Sequence, residues 1–134
     1  MRLEIEQREK EGVVVLDVKG GLVVGDPASA LRDKLRQLLA DERHNVVLNL
    51  AGVDYIDSTG LGAMVVCFTS LRKAGGKLAL LNLNRRQIEL LVLTKLSTVF
   101  EIFDDEQAAV NSFFPDREIR RFDILSFVQQ QQDN

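Results

Sequence analysis

A chain of 134 residues is sized for one domain, because two would each lack the length to bury a core. Hydrophobic residues make up 46% of it, which excludes a wholly disordered chain. The net charge of −3 brings no basic excess to neutralise a phosphate backbone, so direct nucleic-acid binding is not expected.

The opening residues Met1 to Glu6 alternate polar and apolar with charges and do not read as a signal peptide. Leu3 to Glu9 continues that alternation and predicts an edge-like strand. Glu11-Gly12 is a turn, and the β-branched run Val13 to Val18 predicts a second strand close enough to form a hairpin with the first. Gly20-Gly21 bends or breaks it, and Leu22-Val23-Val24 is a candidate continuation. Asp26 is expected to cap a helix, with Pro27 at its first position. Ala28, Leu31, Leu35, Leu38 and Leu39 then recur at helical spacing, ending near Asp41.

Val46 to Leu50 predicts a short strand covered on both faces, and Ala51 to Ile56 a loop. Asp57-Ser58-Thr59-Gly60-Leu61-Gly62 opens a helix that runs to about Ala74, where Gly75-Gly76 ends it. Cys67, the single cysteine, falls in this apolar stretch and reads as a small buried hydrophobe. Lys77 to Leu83 predicts another buried strand. Asn84 is placed to cap a further helix, with Gln87 as its capping-box partner and Ile88, Leu91, Val92 and Leu96 facing inward. Val99 to Phe103 predicts a last strand, and Asp104-Asp105 the start of a helix through Phe113. Beyond Pro115 the chain turns charged, then apolar from Phe122 to Val128, then polar to Asn134. A packed amphipathic piece through Val128 is expected there. The Arg117, Arg120 and Arg121 cluster reads as a solvated face, as do Arg85 and Arg86. No run of ~18 apolar residues exists, so no membrane-spanning helix is expected. A hairpin followed by alternating helices and strands gives the α/β class: a mixed sheet of about four to five strands with about four helices.

The segment with chemical content is Asp57 to Gly62. Asp57 is suited to cap the helix, and Ser58 falls in its first turn, where backbone N–H groups lack intrahelical partners. Gly60 and Gly62 carry no bulk, so another backbone can come close. At ~100° per residue, Leu61, Met64, Val65, Phe68 and Leu71 form one stripe, the natural core face. Thr59, Gly62, Ala63, Val66 and Ser70 lie opposite, small and apolar where a solvated face would be polar. Two readings stay open at this point: a docking face, or a helix covered on both sides within its own domain. Ser58 is not set in the Gly-x-Ser-x-Gly elbow of a hydrolase, and His44, the one histidine, precedes a strand. Neither a metal-ligand spacing nor a P-loop is present, so no enzyme activity and no cofactor are expected.

Four stretches together carry a family resemblance: Val47 to Leu50, Val53 to Gly62, Lys73 to Leu78, and Val99 to Phe103. In them the chain resembles the STAS family, the domain shared by anti-sigma factor antagonists and the cytoplasmic ends of sulfate transporters. The resemblance spans roughly Leu3 to Phe114 and implies a STAS domain over residues 1–114 with a C-terminal extension over 115–134. In the antagonist branch, the serine after the aspartate is phosphorylated by a partner that is both anti-sigma factor and serine kinase. That position here is Ser58. The resemblance thus implies a cytoplasmic partner switch: the unmodified chain binds the anti-sigma factor and frees a sigma factor, phosphorylation ends the binding, and a serine phosphatase restores it. Asp57, Ser58, Thr59, Gly60, Gly62, Ala63 and Val66 are the expected contact residues. The sequence departs from the family at Val23, where an acidic residue often faces the partner. Related domains also serve as scaffolds in stress-sensing assemblies or as regulatory subunits beside membrane transport complexes, which is the alternative role.

Overall fold

The computed structural model describes residues 3–117 and 122–133. In chain order the elements are β1 (Glu4–Lys10), β2 (Val13–Leu22), α1 (Asp26–Ala40), β3 (Asn45–Ile56), α2 (Ser58–Lys73), β4 (Lys77–Leu81), α3 (Arg85–Leu93), β5 (Glu101–Phe103), α4 (Glu106–Asn111) and α5 (Ile124–Asp133). The five strands form one sheet in the order β1-β2-β3-β4-β5. The β1–β2 pair is antiparallel and the other three pairs are parallel. The hairpin closes on Glu11 and Gly12, whose φ values of 53° and 85° give the positive pair that a two-residue turn between twisted strands requires.

Alternation along the strands sorts the apolar residues onto two faces. Val14, Leu16 and Val18 of β2 join Val46, Leu48 and Leu80 in the larger core, which also takes Leu31 and Leu35 of α1 and Leu61, Met64 and Leu71 of α2. Val13, Val15, Val47, Leu81 and Phe103 form a smaller core with Ala108, Ala109 and Val110 of α4. Burial on both faces is why these strands read as unbroken apolar runs. Alongside the smaller core the sheet face is polar. Arg8 of β1 bonds Asp17 of β2 and Glu106 of α4, and the Asn49 side-chain amide donates to Asp17 at 2.7 Å. Arg8 thereby depresses the Asp17 and Glu106 carboxyls below their ordinary ranges by donating to them.

Several sequence expectations are corrected here. Ala51 to Ile56 is not a loop but the second half of β3, paired with β2 as far as Leu22↔Ile56 across two register shifts. Val53 and Ile56 turn inward while Gly52, Asp54 and Tyr55 face out, so the shifted register hides a strand inside a polar-looking string. Asp26 does not cap α1. It is the first helical residue, and Gly25, with a φ of 96°, makes the turn without a side-chain bond. The fourth and fifth strands are shorter than expected, ending at Leu81 and starting at Glu101 respectively.

The C-terminal extension adds a fifth helix. Phe122 and Ile124 pack against the larger core, and the Phe122 N–H donates to the Ile102 carbonyl at 2.8 Å. Leu125 is exposed on the helix that follows, so the expected packed piece is packed only in part. Arg117 lies over the Phe114 ring and bonds Glu11, while Arg120 and Arg121 fall outside the described residues.

The expected capping box of α3 is present. Asn84 Oδ1 accepts from the Gln87 N–H and Gln87 Oε1 accepts from the Asn84 N–H, both at 2.9 Å. Gln87 is also the buried polar residue of the described chain, and its Nε2 donates to the Val53 carbonyl at 2.8 Å. One amide therefore both starts α3 and pins it to the outer half of β3. Gln87→Leu roughly keeps the volume but deletes the two bonds of the side-chain amide, to the Asn84 N–H and the Val53 carbonyl, and should cost about 1–3 kcal/mol for the buried groups left unpaired. Urea unfolding checks it: a lower midpoint at unchanged slope is expected.

Candidate functional site at the entrance to α2

β2 and β3 end side by side, and their ends shape the start of α2. The Asp57 N–H donates to the Leu22 carbonyl at 3.2 Å, tying the two strand ends together. Asp57 is extended, with φ −94° and ψ −179°, and its side chain turns back over the helix. Its Oδ1 accepts from the Gly60 N–H at 2.8 Å, the N-cap bond that the sequence predicts. Its Oδ2 accepts from the Val24 N–H at 2.9 Å, a bond that nothing in the local sequence announces. These backbone donors, Gly60 first and Val24 second, hold the Asp57 carboxyl below the ordinary carboxylate range. A depressed carboxyl stabilises the fold above its ordinary pKa and loses that contribution as pH falls through the lowered value. The junction is thus intact at neutral pH and is an acid-sensitive point.

Ser58 is the first residue of α2, and it is exposed. A hydroxyl there is open both to a modifying enzyme and to a docking protein. Around it lie Thr59, half-buried; Gly62, with open space where a side chain would stand; and Val66, 43% exposed. Val24, held by Asp57, is 65% exposed, and Tyr55, beside the strand ends, is 54% exposed. Large apolar side chains on the surface next to a helix start form a face suited to another protein. Val24 and Tyr55 were not among the residues expected from sequence. Their signal was present, as bulky apolar residues, Tyr55 in a segment read as a loop and Val24 at the far end of the second strand's possible continuation.

Two expected contact residues are corrected. Ala63 is fully buried, because α1 packs along α2 and places Ala28 and Leu31 in the same core. Gly60 is buried too. A Cβ on it would stand 2.0 Å from the Leu22 carbonyl oxygen, so the backbone that glycine admits belongs to this chain. The inward stripe is likewise wider than expected. Cys67 joins Leu61, Met64 and Leu71, while Val65 and Phe68 are half-buried. Burial pushes the Cys67 thiol up to about 12, as fits a packing residue. His44 stands at the far end of β3 from Ser58, where its carbonyl accepts from the Lys77 N–H.

A STAS domain model matches residues 4–109, and the chain belongs to the STAS domain family. Its curated relatives carry the name anti-sigma factor antagonist. The anti-sigma-B factor antagonist of Bacillus subtilis (strain 168) is 33% identical over 110 residues, covering 82% of this chain and 99% of the relative. Among solved structures, an anti-sigma factor antagonist from Mycobacterium paratuberculosis superposes with a TM-score of 0.73 at 21% identity, covering 84% of this chain and 94% of its own. The Bacillus protein SpoIIAA, solved in its phosphorylated form, has a TM-score of 0.64 at 17% identity, covering 81% and 98%. Both structures share the fold described above.

The two glycines of the motif have opposite environments and should respond oppositely to a methyl group. Gly60→Ala drives a Cβ into the Leu22 carbonyl and should destabilise by about 1–3 kcal/mol or more. Gly62→Ala meets open space within a helix and should stabilise by roughly 0.5–1 kcal/mol. Thermal or urea unfolding of the pair gives the answer, and equal shifts would contradict the geometry.

Proposed function

We propose that this chain is a cytoplasmic anti-sigma factor antagonist that switches partners through Ser58. The observation that carries the reading is the exposure of Ser58 at the start of α2, within a surface of Val24, Gly62 and Val66 that this domain leaves uncovered. The family membership and the names of the curated relatives support it. In this reading the unmodified chain docks on an anti-sigma factor that is also a serine kinase, and a sigma factor is released. The kinase phosphorylates Ser58, the complex dissociates, and a serine phosphatase resets the chain. No chemical step is assigned to this protein's own residues. It acts as the substrate and ligand of others.

The energetics need only local effects. Phosphorylation adds about −1.5 to −2 charges and three strong acceptor oxygens. A helix N-terminus tolerates an anion, so the fold withstands the modification. The interface does not, because a dianion pressed into a desolvated contact without a new cationic partner is costly. A 10³-fold loss of affinity needs about 4 kcal/mol. Val23 stands where the family often has an acid, so this partner is recognised with one fewer negative charge on the β2–α1 loop.

The test is capture from the native cell with full-length Ser58→Ala and Ser58→Asp chains, the bound proteins being identified by mass spectrometry and Ser58 phosphate mapped in parallel. Ser58→Ala should retain a kinase-like anti-sigma factor, and Ser58→Asp should bind it at least about 10²-fold more weakly. Equal retention by both variants would refute the switch. Recovery of transport-complex subunits instead would favour a role as a regulatory subunit.

A further inference from the structure

The β2–α1 loop and the Ser58 helix are separate segments of chain that meet at one carboxylate. Asp57 Oδ1 is taken by the Gly60 N–H at 2.8 Å and Oδ2 by the Val24 N–H at 2.9 Å. Both oxygens are thus committed, one to each segment. The two bonds are not equally secure. Gly60 is buried in α2 with its backbone fixed against the Leu22 carbonyl. Val24 lies in a short connection between β2 and α1, exposed along with Gly25. Besides the Asp57 carboxylate, that connection is held by Asp57 N–H to Leu22 O, Ala28 N–H to Val23 O and Ser29 N–H to Gly25 O, none of which engages the Val24 N–H. If the carboxylate is disturbed, the loop is the side that gives.

We propose that Asp57 is a positioning residue that locks Val24 and the β2–α1 loop beside Ser58, and that phosphorylation of Ser58 opens this lock. The inference rests on the reading of Ser58 as a phosphorylation site, and it adds a second component to the switch. A phosphate on Ser58 is an anion on the residue next to the Asp57 carboxylate. Both compete for the same few N–H groups at the start of α2. The carboxylate keeps Gly60, which the helix holds in place, and yields Val24. Phosphorylation then removes more than the uncovered hydroxyl. It also frees the apolar Val24 side chain from the position in which it completes the contact surface. The partner-binding form is accordingly one in which a single carboxylate has joined two segments in advance, so docking need not order the loop.

Asp57→Asn isolates the lock from the cap. Asparagine caps a helix about as well as aspartate. It has one acceptor oxygen, and its amide group is a donor that cannot take the Val24 N–H. The experiment is amide hydrogen exchange by NMR on the full chain in three forms: unmodified, with phosphoserine incorporated genetically at position 58, and Asp57→Asn. Val24 should exchange about tenfold faster or more in both altered forms, while Gly60 stays protected in both. Unchanged Val24 exchange in Asp57→Asn would overturn the lock. Loosening of Val24 in Asp57→Asn but not in the phosphorylated chain would overturn its coupling to the switch. Loss of Gly60 protection with Val24 retained would overturn the order in which the bonds give way. This readout uses no partner, so a failure to capture an anti-sigma factor would sink the proposed function and leave the exchange result to stand or fall alone.

Discussion

The arrangement depends on the meeting of β2 and α2 at the Leu22 carbonyl. That one group accepts the Asp57 N–H and presses on the backbone of Gly60, so strand end and helix start are in direct contact. Glycine at position 60 is the condition for that approach, since any side chain would occupy the space of the carbonyl. Once the contact forms, the Asp57 side chain has two N–H groups within reach and Ser58 has no course but outward. The exposure of the serine is therefore a consequence of packing, and the packing is enforced by a residue that is itself buried.

The same meeting point explains the long β3. Parallel pairing with β2 has to continue to Leu22↔Ile56 for the two ends to coincide, and two register shifts absorb the mismatch on the way. Gln87 then closes the outer half of β3 from the α3 side by its bond to Val53. The end of the sheet that leads into Ser58 is thus held by main-chain pairing, one buried amide and one carboxylate.

How much of this could be read in the sequence divides along physical lines. The hairpin, the order of helices and strands, the Asp57 cap and the Asn84–Gln87 box were legible because each is a local pattern with a period or a cap spacing. The Asp57–Val24 bond was not, because it joins residues 33 apart and leaves no trace in either segment. The outer half of β3 was missed because register shifts break the two-residue alternation on which strand recognition depends. Ala63 was misplaced for a related reason: helical periodicity defines a face opposite the sheet, but it cannot tell whether another helix lies there. Here α1 does. What periodicity did give, the outward placement of Gly62 and Val66, needed no long-range knowledge.

The two margins of the sheet differ in how they meet solvent. β1 presents the charged side chains of Glu4, Glu6 and Arg8 along its length, a row on which another strand would have to bury ions to add. β5 is three residues long, and the Phe122 N–H occupies the Ile102 carbonyl on its outer side. One margin is thus guarded by electrostatics and the other by brevity and a covering segment from beyond the matched domain. A small domain of this kind gains from having little for another strand to zip onto at its sides, where a misdirected ladder would aggregate.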